Sequence, residues 1–301
     1  MTICNYRAEH AWALRIHFGR TPAPAGADGM IGICTDSHSL LSPELIERFL
    51  IEVVPLTINI GEIEYLDGVD IDIDEYYAMT AASAAGPETA PTQPSSGQFA
   101  LAYDRLADRG VDQILSIHTS LGVNGTLTSA RLATRCSSVP VKVLDTYSPS
   151  VALSCAIWAA ADAASKGAAL CEVIAATERV ATAVGNLFVY EASEVCRPAT
   201  LAGDEQIALM TLIGDEVRVV RHVDRCSDVA QAMAACLSTT SRPVNVLLAH
   251  ADRCGATMMD DVRRLISGIP NVAEVAQCRI GPSIAAYLGH CGAGIFFYPI
   301  G

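Results

Sequence analysis

The chain has 301 residues, and its 20 Lys and Arg against 33 Asp and Glu give a formal net charge of −13 and a pI near 4.9. A chain this acidic, with no basic tract, is repelled by nucleic acid and by anionic membrane surfaces, so neither is expected as a partner. Half of the residues are hydrophobic (51%) and 18% are charged, which is far from a disordered composition. No run of about 18 apolar residues is present to cross a membrane as a helix, so a soluble, cytoplasmic protein is expected. The length suits two domains of roughly 130–150 residues each.

Eleven cysteines are present. None forms a C-x-x-C pair and no His sits beside them at zinc-ligand spacing, so no metal site is expected. Their odd number and apolar settings, such as Ile33-Cys34 and Cys155-Ala156, read as free thiols in a reducing compartment.

Residues 1–29 conform to no element. Arg7, Glu9, His10, Arg15, His17 and Arg20 break up the apolar residues, so there is no signal-peptide core. Residues 21–29 (TPAPAGADG) read as a linker. The regular pattern starts at Met30, and three units are expected: an N-terminal extension over 1–29, an α/β domain over 30–150, and a second α/β domain over 151–301 that includes Ala-rich connecting helices.

Residues 30–35 (MIGICT) form an apolar run of buried-strand type. Ser42-Pro43-Glu44 then opens a helix with a cap, a first-turn proline and an acidic first turn. Residues 52–60 (EVVPLTINI) are β-rich, with Pro55 marking an edge or bulge. A polar turn at Asp67-Gly68 precedes a helix over 75–82, and residues 86–97, with three prolines, read as an extended loop that caps a helix over 98–109. A strand over 113–117, a Gly-containing loop over 118–125, a helix from Thr126 to about Arg135 and a strand over 141–144 follow. Helices are expected over 150–165 and 170–184, and later near 228–237 and 256–266. Strands are expected over 186–190, 207–213, 216–220, 244–249 and 273–279. Strands alternating with helices imply βαβ crossovers, so the fold class is two α/β domains with mainly parallel sheets and a ligand held between them.

In such sheets ligands bind beyond the carboxyl ends of the strands. Three of these ends are rich in hydroxyls: Thr35-Asp36-Ser37, His118-Thr119-Ser120, and Asp145-Thr146 with Ser148 and Ser150. The loop from Ser120 to Thr126, with Gly122, Asn124 and Gly125, offers backbone N–H groups and a helix N-terminus to one anionic head group, carboxylate or phosphate. An ordinary helix cap and turn would look the same. No Lys follows the glycines as in a Walker loop, and neither G-x-G-x-x-G nor G-x-S-x-G is present. Asp36, His118 and Ser120 therefore make a poor hydrolytic triad. His250 and residues 287–290 are further candidates for the same cleft.

Taken in order, these motifs resemble the DegV family of bacterial lipid-binding proteins. The likeness runs through Ile33-Cys34-Thr35-Asp36-Ser37, Val53-Val54-Pro55-Leu56-Thr57 and Tyr65-x-Asp67-Gly68-Val69-Asp70-Ile71, then Thr92-Gln93-Pro94-Ser95 and Leu115-Ser116-Ile117-His118. It continues through Gly122-x-x-Gly125-Thr126, Ser129-Ala130, Val143-Leu144-Asp145 and Ala249-His250-Ala251, and closes on Gly281-Pro282-Ser283-Ile284 and Gly292-Ala293-Gly294. The resemblance implies a carrier that is not an enzyme and needs no cofactor. It holds one long-chain fatty acid in an apolar tunnel, with the carboxylate on loop hydroxyls and a fatty acid kinase as partner. The site residues it implies are Thr92, Ser120, Asn124, Gly125, Thr126, Tyr287, His290, Asp36 and Ser37.

The sequence departs from the family pattern at several points. Pro91-Thr92 keeps one hydroxyl of a pair, Leu121 and Asn124 stand in place of serines, and Tyr287 replaces a His while His290 appears three residues on. A basic Gly-rich segment is replaced by residues 190–198 (YEASEVCRP), which weighs against the kinase. The alternatives are a divergent member that binds another amphipathic or anionic molecule, or a hydrolase or transferase acting through His118 or His290.

Overall fold

A computed structural model describes residues 29–81, 89–119, 125–148, 150–189, 207–213, 216–251, 253–288 and 292–300. The first strand, β1 (Ile31–Asp36), is buried along its whole length and leads through a short 3-10 turn into α1 (Pro43–Phe49). Ser42 caps α1 as its sequence suggests, its Oγ accepting from the Leu45 amide at 3.2 Å. The β-rich stretch 52–60 divides at Pro55-Leu56 between two sheets. β2 (Glu52–Val54) pairs parallel with β1, and β3 (Thr57–Ile60) pairs antiparallel with β4 (Ile63–Leu66) and β5 (Thr89–Thr92). The strand β5 lies where an extended loop was expected. Pro91 is tolerated because β5 is an edge strand of that three-stranded sheet.

Next come α2 (Ile73–Ala81) and α3 (Ser96–Asp108), the latter opened by a capping box in which the Ser95 amide donates to Gln98 Oε1 at 2.8 Å. β6 (Gln113–His118), α4 (Gly125–Ala133) and β7 (Val141–Asp145) complete a four-stranded sheet in the order β2-β1-β6-β7, parallel throughout. The edge strand β2 is protected by a buried carboxylate: Glu52 takes Arg105 at 2.9 Å and also Arg109, both from α3.

The second half contains α5 (Ser150–Ser165), α6 (Leu170–Ala181), β8 (Gly185–Val189), β9 (Ile207–Ile213), β10 (Glu216–Val223) and α7 (Cys226–Ser238). It closes with β11 (Val244–His250), α8 (Arg253–Ile266), β12 (Val272–Arg279), α9 (Pro282–Leu288) and β13 (Ala293–Pro299). Neither β13 nor α9 is among the elements expected from the sequence. The six-stranded sheet runs β10-β9-β8-β13-β11-β12, and only β11 and β12 pair parallel. The expectation of mainly parallel sheets thus holds for the first sheet and is corrected for the second. Parallel neighbours need a crossover, and α8 supplies the one that joins β11 to β12. The inserted β13 runs antiparallel to both its neighbours.

These elements stack in five layers. α3 and α4 cover one face of the parallel sheet through Phe99, Tyr103, Leu106 and Ala130. α5 and α6 cover the other face, and α7 and α8 cover the far face of the six-stranded sheet. The central layer serves both sheets. Leu153, Ile157 and Ala160 of α5 face Ile33, Leu115 and Ile117, whereas Cys155, Ala156 and Trp158 face Leu247, Phe296 and Tyr298. Trp158 meets the Tyr298 ring edge-on at 5.9 Å. A helix buried on two sides must be apolar all round, and small side chains let both sheets approach it. Enlarging Ala160, which is fully buried, tests this packing. Ala160→Leu is expected to cost about 1–3 kcal/mol in denaturant unfolding, and an unchanged midpoint would mean that the layer is loosely packed.

Candidate functional site

The carboxyl ends of β1, β6 and β7 lie side by side, with His118 opposite Asp145 and Cys34 opposite Ser116. A buried hydrogen-bonded chain ties them together. Asp36 Oδ2 lies 2.5 Å from His118 Nδ1, and Asp36 Oδ1 accepts from the His38 amide at 3.0 Å. His118 Nε2 lies 2.7 Å from Ser116 Oγ, and the Tyr103 hydroxyl donates to Ser116 Oγ at 3.0 Å. Nδ1–H gives to the Asp36 carboxylate, which can only accept, and the Tyr103 hydroxyl lies within reach of both Ser116 Oγ and the Ala130 carbonyl, the latter at 3.3 Å. The His118 ring is fully buried and packs edge-on against Phe99 at 5.1 Å. Asp36, His118 and Ser116 have the geometry of a hydrolytic triad but are sealed under α3, and both nitrogens of His118 are occupied.

Above this chain lies a layer of hydroxyls. Thr146 Oγ1 donates to the His118 carbonyl at 3.1 Å and Ser148 Oγ donates to Thr146 at 2.8 Å, both within the buried layer. The turn between them places Tyr147 in the left-handed region (φ 49°), a conformation costly for a bulky side chain, with its amide held by Asp145 Oδ1 at 3.0 Å. Ser37 Oγ accepts from the Leu56 amide at 3.0 Å, and the Ser37 carbonyl accepts from Ser283 Oγ of α9 at 3.4 Å. The site is therefore assembled from both halves of the chain. Nearby, Tyr77 donates to the Ile280 carbonyl at 3.0 Å, and Arg279 pairs with Asp74 at 2.6 Å while lying over the Tyr77 ring.

Three buried polar atoms here meet no hydrogen-bond partner among the described residues: Thr126 Oγ1, Ser39 Oγ and Asp67 Oδ2. Thr126 stands in the first turn of α4, directly after Gly125. A Cβ on Gly125 would come within 2.5 Å of the Gln93 side chain, which would have to move aside where the Thr92-Gln93 segment crosses the helix start. Asp67 sits in the turn after β4. Burial raises its carboxyl from the ordinary value of 3.8, and the neighbouring Ser283 and Ser37 hydroxyls and the Ser283 amide offset this only in part. His38, also buried, is pushed down by desolvation against the opposing pull of Asp36.

The structure accordingly sorts the residues named from the sequence. Gly125 and Thr126 meet the Thr92 segment, although Thr92 itself is exposed and reaches the Thr57 carbonyl only at 3.5 Å. Asp36 and Ser37 belong to the site but are engaged in internal bonds. Ser120, Asn124 and His290 lie outside the described residues, as does the side chain of Tyr287 in α9. His250 ends β11 and its carbonyl accepts from the Ile280 amide at 2.7 Å, which anchors the approach to α9. Asp67 and Ser283 were quoted as motif residues without a role in the site, and Ser116 and Tyr103 were likewise unforeseen. The signal for Asp67 was a carboxylate flanked by Tyr65, Leu66 and Ile71, which is an apolar setting for an exposed turn. No group of three metal-ligating side chains occurs among the described residues, and no described helix is long and apolar enough to cross a membrane.

A two-domain α/β protein with a buried, hydroxyl-lined seam beyond its parallel strands is thus defined. The chain belongs to the DegV family, whose model matches residues 30–194. A DegV domain-containing protein of Streptomyces coelicolor is 27% identical over 86% of this chain and 95% of its own length. One of Streptococcus pyogenes is 35% identical over 50% of this chain and 54% of its own. Among solved structures, a fatty-acid-binding DegV family protein from Thermus thermophilus superposes with a TM-score of 0.72 at 25% identity, covering 90% of this chain and all of that one. A Thermotoga maritima protein with fatty acid binding function gives 0.73 at 19% identity over 90% of this chain, a likeness of fold.

Two outcomes follow from the buried groups. Asp36→Asn replaces one of the two acceptor oxygens that serve His118 Nδ1–H and the His38 amide with a donor and should cost about 1–3 kcal/mol in denaturant unfolding; a stability unchanged from wild type would refute Asp36 as the acceptor that both groups need. Asp67 binds its proton more tightly folded than unfolded, so its contribution is fully present below the ordinary carboxylate value and is lost as pH rises through the raised one. Asp67→Asn should abolish that part of the fall in stability with rising pH, and identical pH profiles for the two proteins would contradict it.

Proposed function

We propose that this chain binds a long-chain fatty acid between its two halves, with the carboxylate at the hydroxyl-lined seam, and acts as a carrier. The observation that carries this reading is the group of buried polar atoms left without partners, Thr126 Oγ1 and Asp67 Oδ2 above all. A buried polar atom with no partner is costly, and a ligand head group would satisfy a hydroxyl such as that of Thr126. The Thermus thermophilus relative, described as binding fatty acid, supports a carboxylate as that group.

In this reading Thr126 donates to the carboxylate. Asp67, whose carboxyl burial raises, lies in the same seam beside the Ser37 and Ser283 hydroxyls. Thr92, Ser120, Asn124, Gly125, Tyr287 and His290 complete the head-group shell, while Asp36 and Ser37 hold the loops in place. Residues 30–150 and 151–301 are the two domains, and a cytoplasmic setting suits the free thiols of Cys34, Cys155 and Cys278. Delivery to a kinase is the finest part of the proposal and rests on the family resemblance alone. Catalysis through His118 is disfavoured, because the ring is fully buried and both its nitrogens are bonded within the protein.

Mass spectrometry of organic extracts, alongside the native mass of the intact protein, tests the proposal. One fatty acid per chain is expected. Thr126→Val should weaken retention about tenfold, the effect of one lost hydrogen bond to a charged group. A protein that is empty on purification and takes up no fatty acid would overturn the reading.

A further inference from the structure

We infer that a second cavity, at the opposite end of the central helix layer, binds a small organic anion. It has a volume of about 400 Å³, within the usual range for small-molecule sites. Its walls come from α1, α5 and α6 on one side and from the starts of β11 and β12 and the end of β13 on the other. It is remote from the head-group seam. Asp162 lies twelve residues along α5 from Ser150, about 18 Å at the helical rise.

The lining is unsuited to an alkyl chain, since five ionised side chains would have to be desolvated against methylenes. Arg48, Lys166 and Arg179 face Asp162 and Glu274. Three cations against two carboxylates leave one positive charge, in a chain whose formal net charge is −13. Arg48 pairs with Glu274, and Lys166 pairs with Asp162 at 2.6 Å. Arg179 has no carboxylate partner among the described residues. Both pairs are largely exposed, and exposed pairs of this kind are worth little, so Arg48 and Lys166 can turn toward a ligand at small cost.

The floor is polar and buried. Asn245 Nδ2 donates to the Tyr298 hydroxyl at 2.9 Å. That bond uses Tyr298 as an acceptor and leaves its proton free to donate into the cavity. Desolvation pushes the Tyr298 hydroxyl up, so it stays protonated at physiological pH. A guanidinium with no carboxylate partner among the described residues and a phenol donor at the floor together suit an oxyanion on a compact body, a carboxylate or a phosphate monoester. Ala159, Ala163, Val180 and Ile300 give that body an apolar wall.

The site is testable on the full chain through Trp158, whose ring abuts Tyr298. Titration with benzoate, phenyl phosphate and neutral benzyl alcohol should give a saturable fluorescence change with at least one of the two anions and none with the alcohol; which anion binds more tightly separates carboxylate from phosphate. Arg179→Gln should lower that affinity about tenfold while leaving the lipid recovered by extraction unchanged. Absence of saturation with either anion would overturn the proposal, as would equal binding of benzyl alcohol or undiminished binding by Arg179→Gln. Displacement of bound fatty acid by the probe would overturn it as well, because the cavity would then be the far end of the acyl channel.

Discussion

The burial of one helix on two sides sets the geometry of this protein. α5 packs against the parallel sheet through Leu153, Ile157 and Ala160, and against the mixed sheet through Cys155, Ala156 and Trp158. Over Leu153–Ala161 the helix has little polar face to offer, and enlarging its buried side chains there presses the two sheets apart. The alanines of residues 150–165 fix how closely the halves approach, and thereby the width of everything built where they meet. At either end of the helix the contact gives way to polar groups: the hydroxyl layer above Ser150, and the charged cavity around Asp162.

The polar end is built to be rigid at its base and unsatisfied at its surface. Asp36, His118, Ser116 and Tyr103 form a buried hydrogen-bonded chain that ties the strand ends together. Buried polar networks are favourable when fully satisfied and expensive when they are not. One layer up, Thr126, Ser39 and Asp67 each retain an atom without a partner. The contrast between a satisfied chain and unsatisfied neighbours is what the proposed binding surface rests on.

Much of this was legible in the sequence where local chemistry decides the outcome. The Ser42-Pro43 helix start, the Ser95 cap and the bounds of α5 (Ser150–Ser165) follow from caps and composition. Elements that depend on distant pairing were hidden. β5 holds a proline and forms only because β3 lies beside it, and β13 is recruited to the middle of its sheet between β8 and β11. The site divides in the same way. Asp36, Gly125 and Thr126 stand at strand ends and a helix start, where sequence pattern points. Asp67 reads locally as an exposed turn, and only the arrival of Ser283 from more than 200 residues away buries it.

In the proposed complex, the seam lets an acidic protein hold an anion. The groups gathered there are hydroxyls and a carboxyl raised by burial, with no Lys or Arg bonded into that layer among the described residues. Hydroxyls can rotate to donate, and in a low-dielectric setting such dipoles interact strongly with charge. Affinity need not come from the head group at all. Each methylene removed from water contributes about 0.8 kcal/mol, so a chain of about sixteen carbons supplies on the order of 12 kcal/mol before the costs of ordering. The head group has only to avoid a desolvation penalty, and its role is to set orientation. Substitutions such as Leu121 and Asn124, which remove hydroxyls from the family pattern, are tolerable on this account so long as enough donors remain to satisfy a single carboxylate.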